Sequence, residues 1–148
     1  MDLKTQIEVF EGRRHAAYPD PISKGGDPWT IGIGHTGPDV HKGLWWTDQQ
    51  IDAAYDRDSS LAIAQCANRF PWFAALNPPR QAVLINMVFQ MGIGGVRGFP
   101  KMLAAVQAKQ YSVAATQMLN SDWHRQTKAR CECLANQMRT GVWQPLPY

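Results

Sequence analysis

Glu11, Asp20, Asp27 and Thr30 fall between positions 11 and 30, strung along the stretch EGRRHAAYPDPISKGGDPWT. Two acids in unlike surroundings can hold different protonation states at one pH, so that one gives a proton while the other stays ionised. A nearby hydroxyl can hold a water for attack. These residue types therefore suit general acid–base chemistry in a cleft. The plainer reading is a turn-rich loop whose acids are only solvated. Asp27 precedes Pro28, which biases it toward an extended or turn conformation and a capping role.

The elements that must position these groups can be read from periodicity. Leu3, Ile7 and Phe10 recur at i, i+4 and i+7, which predicts an amphipathic helix ending at Gly12. Glu11 then sits in its last turn. There the helix dipole disfavours a charged carboxylate, while Arg13 and Arg14 act the other way. "AAY" opens a strand, Pro19 to Pro28 reads as a loop, and Trp29 to His35 alternates with period two as a second strand. Gly32 and Gly34 leave one side of that strand bare, the mark of a close approach by ligand or backbone, or of a bend.

"GLWW" predicts a further short strand. Thr47 and Gln50 form a capping box at the head of a helix, with Asp48 suited to its first turn and Ile51, Ala54, Tyr55, Leu61 and Ala62 on its apolar side. Asn77 and Pro78 start a helix that is apolar almost all round, as a central helix should be, and Gly92 ends it. Asn86 and Gln90 lie four apart on it, and buried amides need partners, either structural or in a substrate. "GIGGVRGF" reads as a connector, followed by helices over Pro100 to Ala108, from a Ser112 cap to Leu119, from a Ser121 cap through "DWHRQ", and over Cys131 to Met138. The class is α+β: a small N-terminal β lobe and a larger helical C-terminal lobe.

The 148 residues are 45% hydrophobic and 18% charged, which suits one domain with a real core and excludes disorder. Residues 1–58 are assigned to the N-terminal helix and β lobe, and residues 59–148 to the helical lobe. No apolar run approaches the ~18 residues of a membrane span. "MDLKTQIEVFEG" lacks the features of a signal peptide, which predicts a chain held in the cytoplasm until another agent releases it. Residues 1–78 carry 7 basic and 10 acidic side chains, whereas residues 79–148 carry 8 and 2. A basic second half favours an anionic partner such as nucleic acid, a membrane surface or a bacterial wall, but no nucleic-acid-binding motif accompanies it. The three cysteines read as free thiols, and "CEC" with His124 fits no common zinc spacing. Neither metal nor cofactor is expected.

The segments "FEGRRHAAYPD", "WTIGIGHT", "LINMVFQMG", "RQTKAR" and "RTGVW" together resemble the phage-type lysozymes, the endolysins of glycoside hydrolase family 24, over about residues 3–143. The T-even phage branch is the most similar in the second half. The resemblance implies a two-lobed lysozyme-like fold with a cleft between the lobes. It also implies hydrolysis of the β-1,4 bond between N-acetylmuramic acid and N-acetylglucosamine in peptidoglycan, with inversion and host lysis. By the same resemblance Glu11 is the general acid, Asp20 the ionised partner and Thr30 the hydroxyl that holds water. Gly32 matches a position near the sugar, and the central helix borders the cleft in the family, where Phe89 would offer apolar surface and Gln90 a bond to an acetamido group; Trp123, Gln126 and Arg130 match positions facing the cleft or the wall peptide. His35 and Asp58 match a supporting ion pair. The family also implies a monomer in the host cytoplasm that reaches the periplasm and wall after release by a holin.

The family spacing places five residues between the aspartate and the threonine. Here nine separate Asp20 from Thr30, so Asp27 competes with Asp20 for the role. A lytic transglycosylase on a related fold needs one acid and no activated water, so the Asp and Thr argue against it. A non-catalytic wall-binding module would not need Glu11, Asp20 and Thr30 together.

Overall fold

The computed structural model describes residues 1–20 and 29–148. Helix α1 spans Leu3–Glu11, with the Asp2 carboxylate accepting from Thr5 N, and it stops at Gly12 with φ of +78°. Strands β1 (Arg14–Pro19), β2 (Trp29–Gly32) and β3 (His35–Thr36) form an antiparallel sheet in the order β1-β2-β3. Helices α2 (Asp48–Arg69), α3 (Pro78–Arg97), α4 (Pro100–Gln107), α5 (Tyr111–Leu119), α6 (Asp122–Gln126) and α7 (Lys128–Thr140) make up the rest. The fold is α+β, as expected.

The alternating run Trp29 to His35 is a hairpin rather than one strand. Ile31 pairs with His35 and Thr30 with Thr36. Gly32 and Gly34 have φ of +66° and +63°. Side chains rarely adopt such a backbone, so the glycines allow the reversal. On the other side Tyr18 pairs with Thr30 and Pro19 with Trp29, while a bulge lies between Arg14 and Tyr18. At the bulge β1 also meets the "GLWW" segment, which contributes only a bridge between Ala16 and Trp45 rather than a full strand.

The capping box of Thr47 and Gln50 forms, and α2 buries Ile51, Ala54, Tyr55, Ala62 and Cys66 along one stripe. Leu61 departs from the expected apolar side and is exposed. Helix α2 runs unbroken past residue 58. Asn77 and Pro78 open α3, whose residues Ala82 to Phe89 are all buried. Gly92 breaks its path, with φ of +76°, but does not end it: the helix resumes through Arg97. Val96, fully buried, draws that extra turn into the core where a connector was expected.

Ser121 caps α6 as expected, but α5 begins at Tyr111 with no side-chain cap from Ser112. Tyr111 instead lies under the Arg80 guanidinium at 3.5 Å, which fixes the helix start by packing. The last helix starts three residues before Cys131 and ends at Gly141 in the left-handed conformation. One core joins the elements, with Ile7 of α1 packed among residues of α2, α3 and α7. The three thiols are buried and unbridged. Burial pushes those of Cys66 and Cys131 up to about 12, and inert thiols follow.

Candidate functional site

Helix α1 delivers Glu11 at its last residue, just before the sharp turn at Gly12. The side chain is held from across the chain: Arg130 Nη1 donates to Glu11 Oε1 at 2.9 Å, with side-chain exposures of 6% and 17%. Arg130 Nη2 reaches Asn86 Oδ1 at 3.4 Å, and the guanidinium stands over the Phe10 ring at 5.0 Å. Asn86 Nδ2 donates to Gln6 Oε1 at 2.9 Å, and Gln6 Nε2 donates to Gln137 Oε1 at 2.7 Å. Gln137 Nε2 in turn donates to Pro79 O at 2.8 Å. A buried polar chain thus runs from α7 through α1 and α3 back to Glu11. It answers the question left by Asn86, whose amide is committed within the protein.

Asp20 follows directly on β1 and is half-buried. Thr30 lies on β2 opposite Tyr18, two residues before Asp20, so the strand pairing carries both toward one end of the sheet. Thr30 is buried, and its Oγ1 has no hydrogen-bond partner among the described residues. Tyr18 lies within electrostatic reach of both acids. Burial raises its phenol above the usual range, and the negative charges of Asp20 and then Glu11 raise it further. Sequence reasoning passed over Tyr18, although period-two alternation puts it on the same side of β1 as the position of Asp20. Asp27 lies outside the described residues.

The remaining side chains divide between two cavities that flank the end of α3. Phe89, with Thr36, Asp58, Leu61 and Gly92, lines one of about 370 Å³. Gln90, Trp123 and Gln126, with Phe99 and Asn120, line another of about 610 Å³ on the far side. Gln90 Oε1 accepts from Trp123 Nε1 at 2.9 Å, and its Nε2 donates to Thr127 at 3.4 Å. Arg130 lines neither of these two, since it turns inward to Glu11. Nor does Gly32, whose bare side is filled by Trp46 and Ile51. Neither Glu11 nor Asp20 lines either of these two cavities.

His35, next to the β2–β3 turn, donates or accepts at both ring nitrogens: Nδ1 with Asp58 at 2.6 Å and Nε2 with Asp39 at 3.0 Å. The Asp58 hydrogen bond raises its pKa most, against the opposing effect of burial. The pair ties β3 to α2 and so holds the hairpin against the helices. Among the described residues no cluster of His, Cys, Asp and Glu has the arrangement of a metal site. Cys131 donates to Met118 O, Cys133 to Pro145 O, and His124 pairs with Glu132.

The Phage lysozyme family profile matches residues 8–140. The chain belongs to the phage lysozyme family. Probable T4-type lysozyme 2 of Dictyostelium discoideum is 27% identical over 165 aligned positions, covering 95% of each chain. The Pre-baseplate central spike protein Gp5 of Enterobacteria phage T4 is 41% identical over 71 residues, 48% of this chain and 12% of that protein. The Peptidoglycan hydrolase gp36 of Pseudomonas phage phiKMV is 26% identical over 137 residues, 91% of this chain and 15% of that protein. Glu11, Asp20, Thr30 and Arg130 all fall within the matched span of this phage lysozyme.

Proposed function

We propose that the chain is a muramidase that hydrolyses the β-1,4 bond between N-acetylmuramic acid and N-acetylglucosamine in peptidoglycan, with inversion, and so lyses a bacterial host. As a phage lysozyme it is a glycoside hydrolase that degrades cell walls. The observation that carries the finer reading is Glu11. A carboxyl at a helix end is held by a buried arginine, and Tyr18, whose phenol feels the negative charges of both Asp20 and Glu11, pairs with Thr30 on the neighbouring strand.

Glycoside hydrolysis by inversion uses one carboxyl to protonate the leaving oxygen and another to activate a water on the opposite face of the sugar. Glu11 gives the proton. Asp20, with the unpartnered Thr30 hydroxyl, orients the water. The sugar chain passes the cavity lined by Phe89, and Gln90 Nε2, whose bond to Thr127 is long, is free to turn to an acetamido group. The wall peptide faces Trp123 and Gln126. Gly32 acts through the hairpin backbone, and Arg130 through Glu11. Family membership also supports action as a monomer, confined to the cytoplasm until a holin gives access to the periplasm and wall.

Two measurements test this reading. Mass spectrometry of digested walls should give fragments with reducing muramic acid ends, whereas 1,6-anhydro ends would assign a lytic transglycosylase. Glu11→Gln should remain folded and lose roughly 10²–10⁴-fold in activity, the usual contribution of proton transfer. An undiminished rate would remove Glu11 from the mechanism.

A further inference from the structure

The hairpin turn between β2 and β3 comes closer to Glu11 than any residue type in it would suggest. A Cβ built on Gly34 would lie 2.5 Å from Glu11 Oε2, 2.8 Å from its Cδ and 3.0 Å from its Cγ. These distances are shorter than van der Waals contact allows, so the carboxyl fills the space where any other residue would carry its side chain. The other oxygen, Oε1, is taken by Arg130 at 2.9 Å. The carboxyl is therefore bounded on both sides, by a charged donor at one oxygen and by bare backbone at the other.

We propose that Gly34 is a positioning residue for Glu11: its missing side chain makes the slot that holds Oε2 and so fixes the carboxyl in the orientation set by Arg130. The inference rests on Glu11 being the general acid. It separates two reasons for a glycine at this position. The first is the backbone, since φ is +63°, and it applies equally to Gly43, where φ is +91° and a Cβ would meet nothing within 4 Å. The second is the Glu11 contact, which belongs to Gly34. A Cβ there meets the end of a flexible side chain, so Glu11 moves aside while the fold survives. Acid catalysis depends on that side chain's position, and a misplacement of ~1 Å can cost on the order of 10²-fold in rate.

The test compares Gly34→Ala, Gly34→Asn, Gly43→Ala and Glu11→Gln with wild type on a soluble chito-oligosaccharide or wall fragment. Asparagine adopts positive φ more readily than other side-chain-bearing residues but still carries a Cβ. Both Gly34 variants should lose on the order of 10²-fold in kcat, with KM within a few-fold of wild type. Gly43→Ala should be destabilised to a similar degree but keep its kcat. A crystal structure of Gly34→Ala should show the Glu11–Arg130 contact lengthened. Gly34 variants with near wild-type kcat, beside an inactive Glu11→Gln, would overturn the positioning role and leave the acid assignment standing. A fully active Glu11→Gln would overturn both. An unmoved Glu11 in Gly34→Ala would overturn the positioning role whatever the kinetics.

Discussion

Replacing Arg130 with methionine should cost stability, and the size of the loss can be worked from its contacts. Removing one member of a buried ion pair typically destabilises by about 3–5 kcal/mol, because the other is left uncompensated. The side chains of Arg130 and Glu11 are 6% and 17% exposed, so the pair is largely removed from water. Two features bring the value toward the lower end. Glu11 keeps enough exposure to recruit a water. Arg130 Nε is itself buried with no partner among the described residues, and deleting an unsatisfied donor recovers about 1–3 kcal/mol. Methionine also retains apolar contact with Phe10. The net expectation is a loss of about 2 kcal/mol, the middle of the ~0–4 kcal/mol that the two ranges leave. At about 2–4 °C per kcal/mol for a chain of this size, Tm should fall by roughly 4–8 °C.

Calorimetry on Arg130→Met, on Glu11→Gln and on the double variant forms a cycle. A neutral amide at position 11 no longer needs the cation. Arg130→Met should therefore cost at least about 1 kcal/mol less in the Glu11→Gln background than alone, since coupled pairs show about 0.5–3 kcal/mol of interaction. Equal costs in both backgrounds would refute the argument that Arg130 is retained for Glu11. A Tm within a degree of wild type for the single variant would refute its role in stability as well.

Other consequences can be measured directly. His35 has a raised folded pKa, so its pairing contributes fully below the unfolded value of about 6.5 and is lost as pH rises through the folded one. The Tm gap between wild type and Asp58→Asn should thus be widest in mildly acidic solution and close at higher pH; a gap independent of pH would sink the pair. The basic second half predicts that lysis of whole walls weakens as salt shortens the Debye length to about 8 Å and below, while turnover of a short neutral oligosaccharide changes little. Equal salt sensitivity on both substrates would argue against electrostatic recruitment. Asp20→Asn should reduce activity far more than Asp27→Asn with both variants folded by circular dichroism, and the reverse order would move the role to Asp27.

What could be read from the sequence was what is decided locally. The capping box at Thr47, the Asn77–Pro78 start and the stop at Gly12 each depend on a few adjacent residues, and each forms. The hairpin reads as one strand in sequence because alternation is the same on both arms and only the positive φ of Gly32 and Gly34 marks the turn. The turn of helix after Gly92 reads as a connector because glycine signals a break, while the burial of Val96 that restores the helix is a tertiary fact. In the candidate site, the residue types of Glu11, Asp20 and Thr30 were legible from spacing and resemblance. Their fixing was not, because Arg130 lies 119 positions from Glu11 and Gln6 lies 131 from Gln137.

Those long-range contacts explain why a core helix carries amides at all. Gln6, Asn86 and Gln137 are fully buried, and each is costly there unless bonded. They are bonded to one another and to Ala82 O and Pro79 O, so the chain of amides is satisfied up to Arg130. An apolar chain in the same place could be as stable, but it could not present a directed acceptor to a guanidinium. Asn86 Oδ1 does this on one side of Arg130 and Glu11 Oε1 on the other. The polar core is thus best understood as a mount. It carries the geometry of α1, α3 and α7 to one carboxyl, and the hairpin turn at Gly34 closes the remaining side. Substitutions in the mount should therefore alter activity through the position of Glu11, without contact to substrate. Asn86→Leu is the sharpest case: it keeps volume in the core, removes the acceptor from Arg130 and leaves Gln6 Oε1 with only the long 3.5 Å bond from Gln137 Nε2, which should lower kcat together with Tm while KM holds.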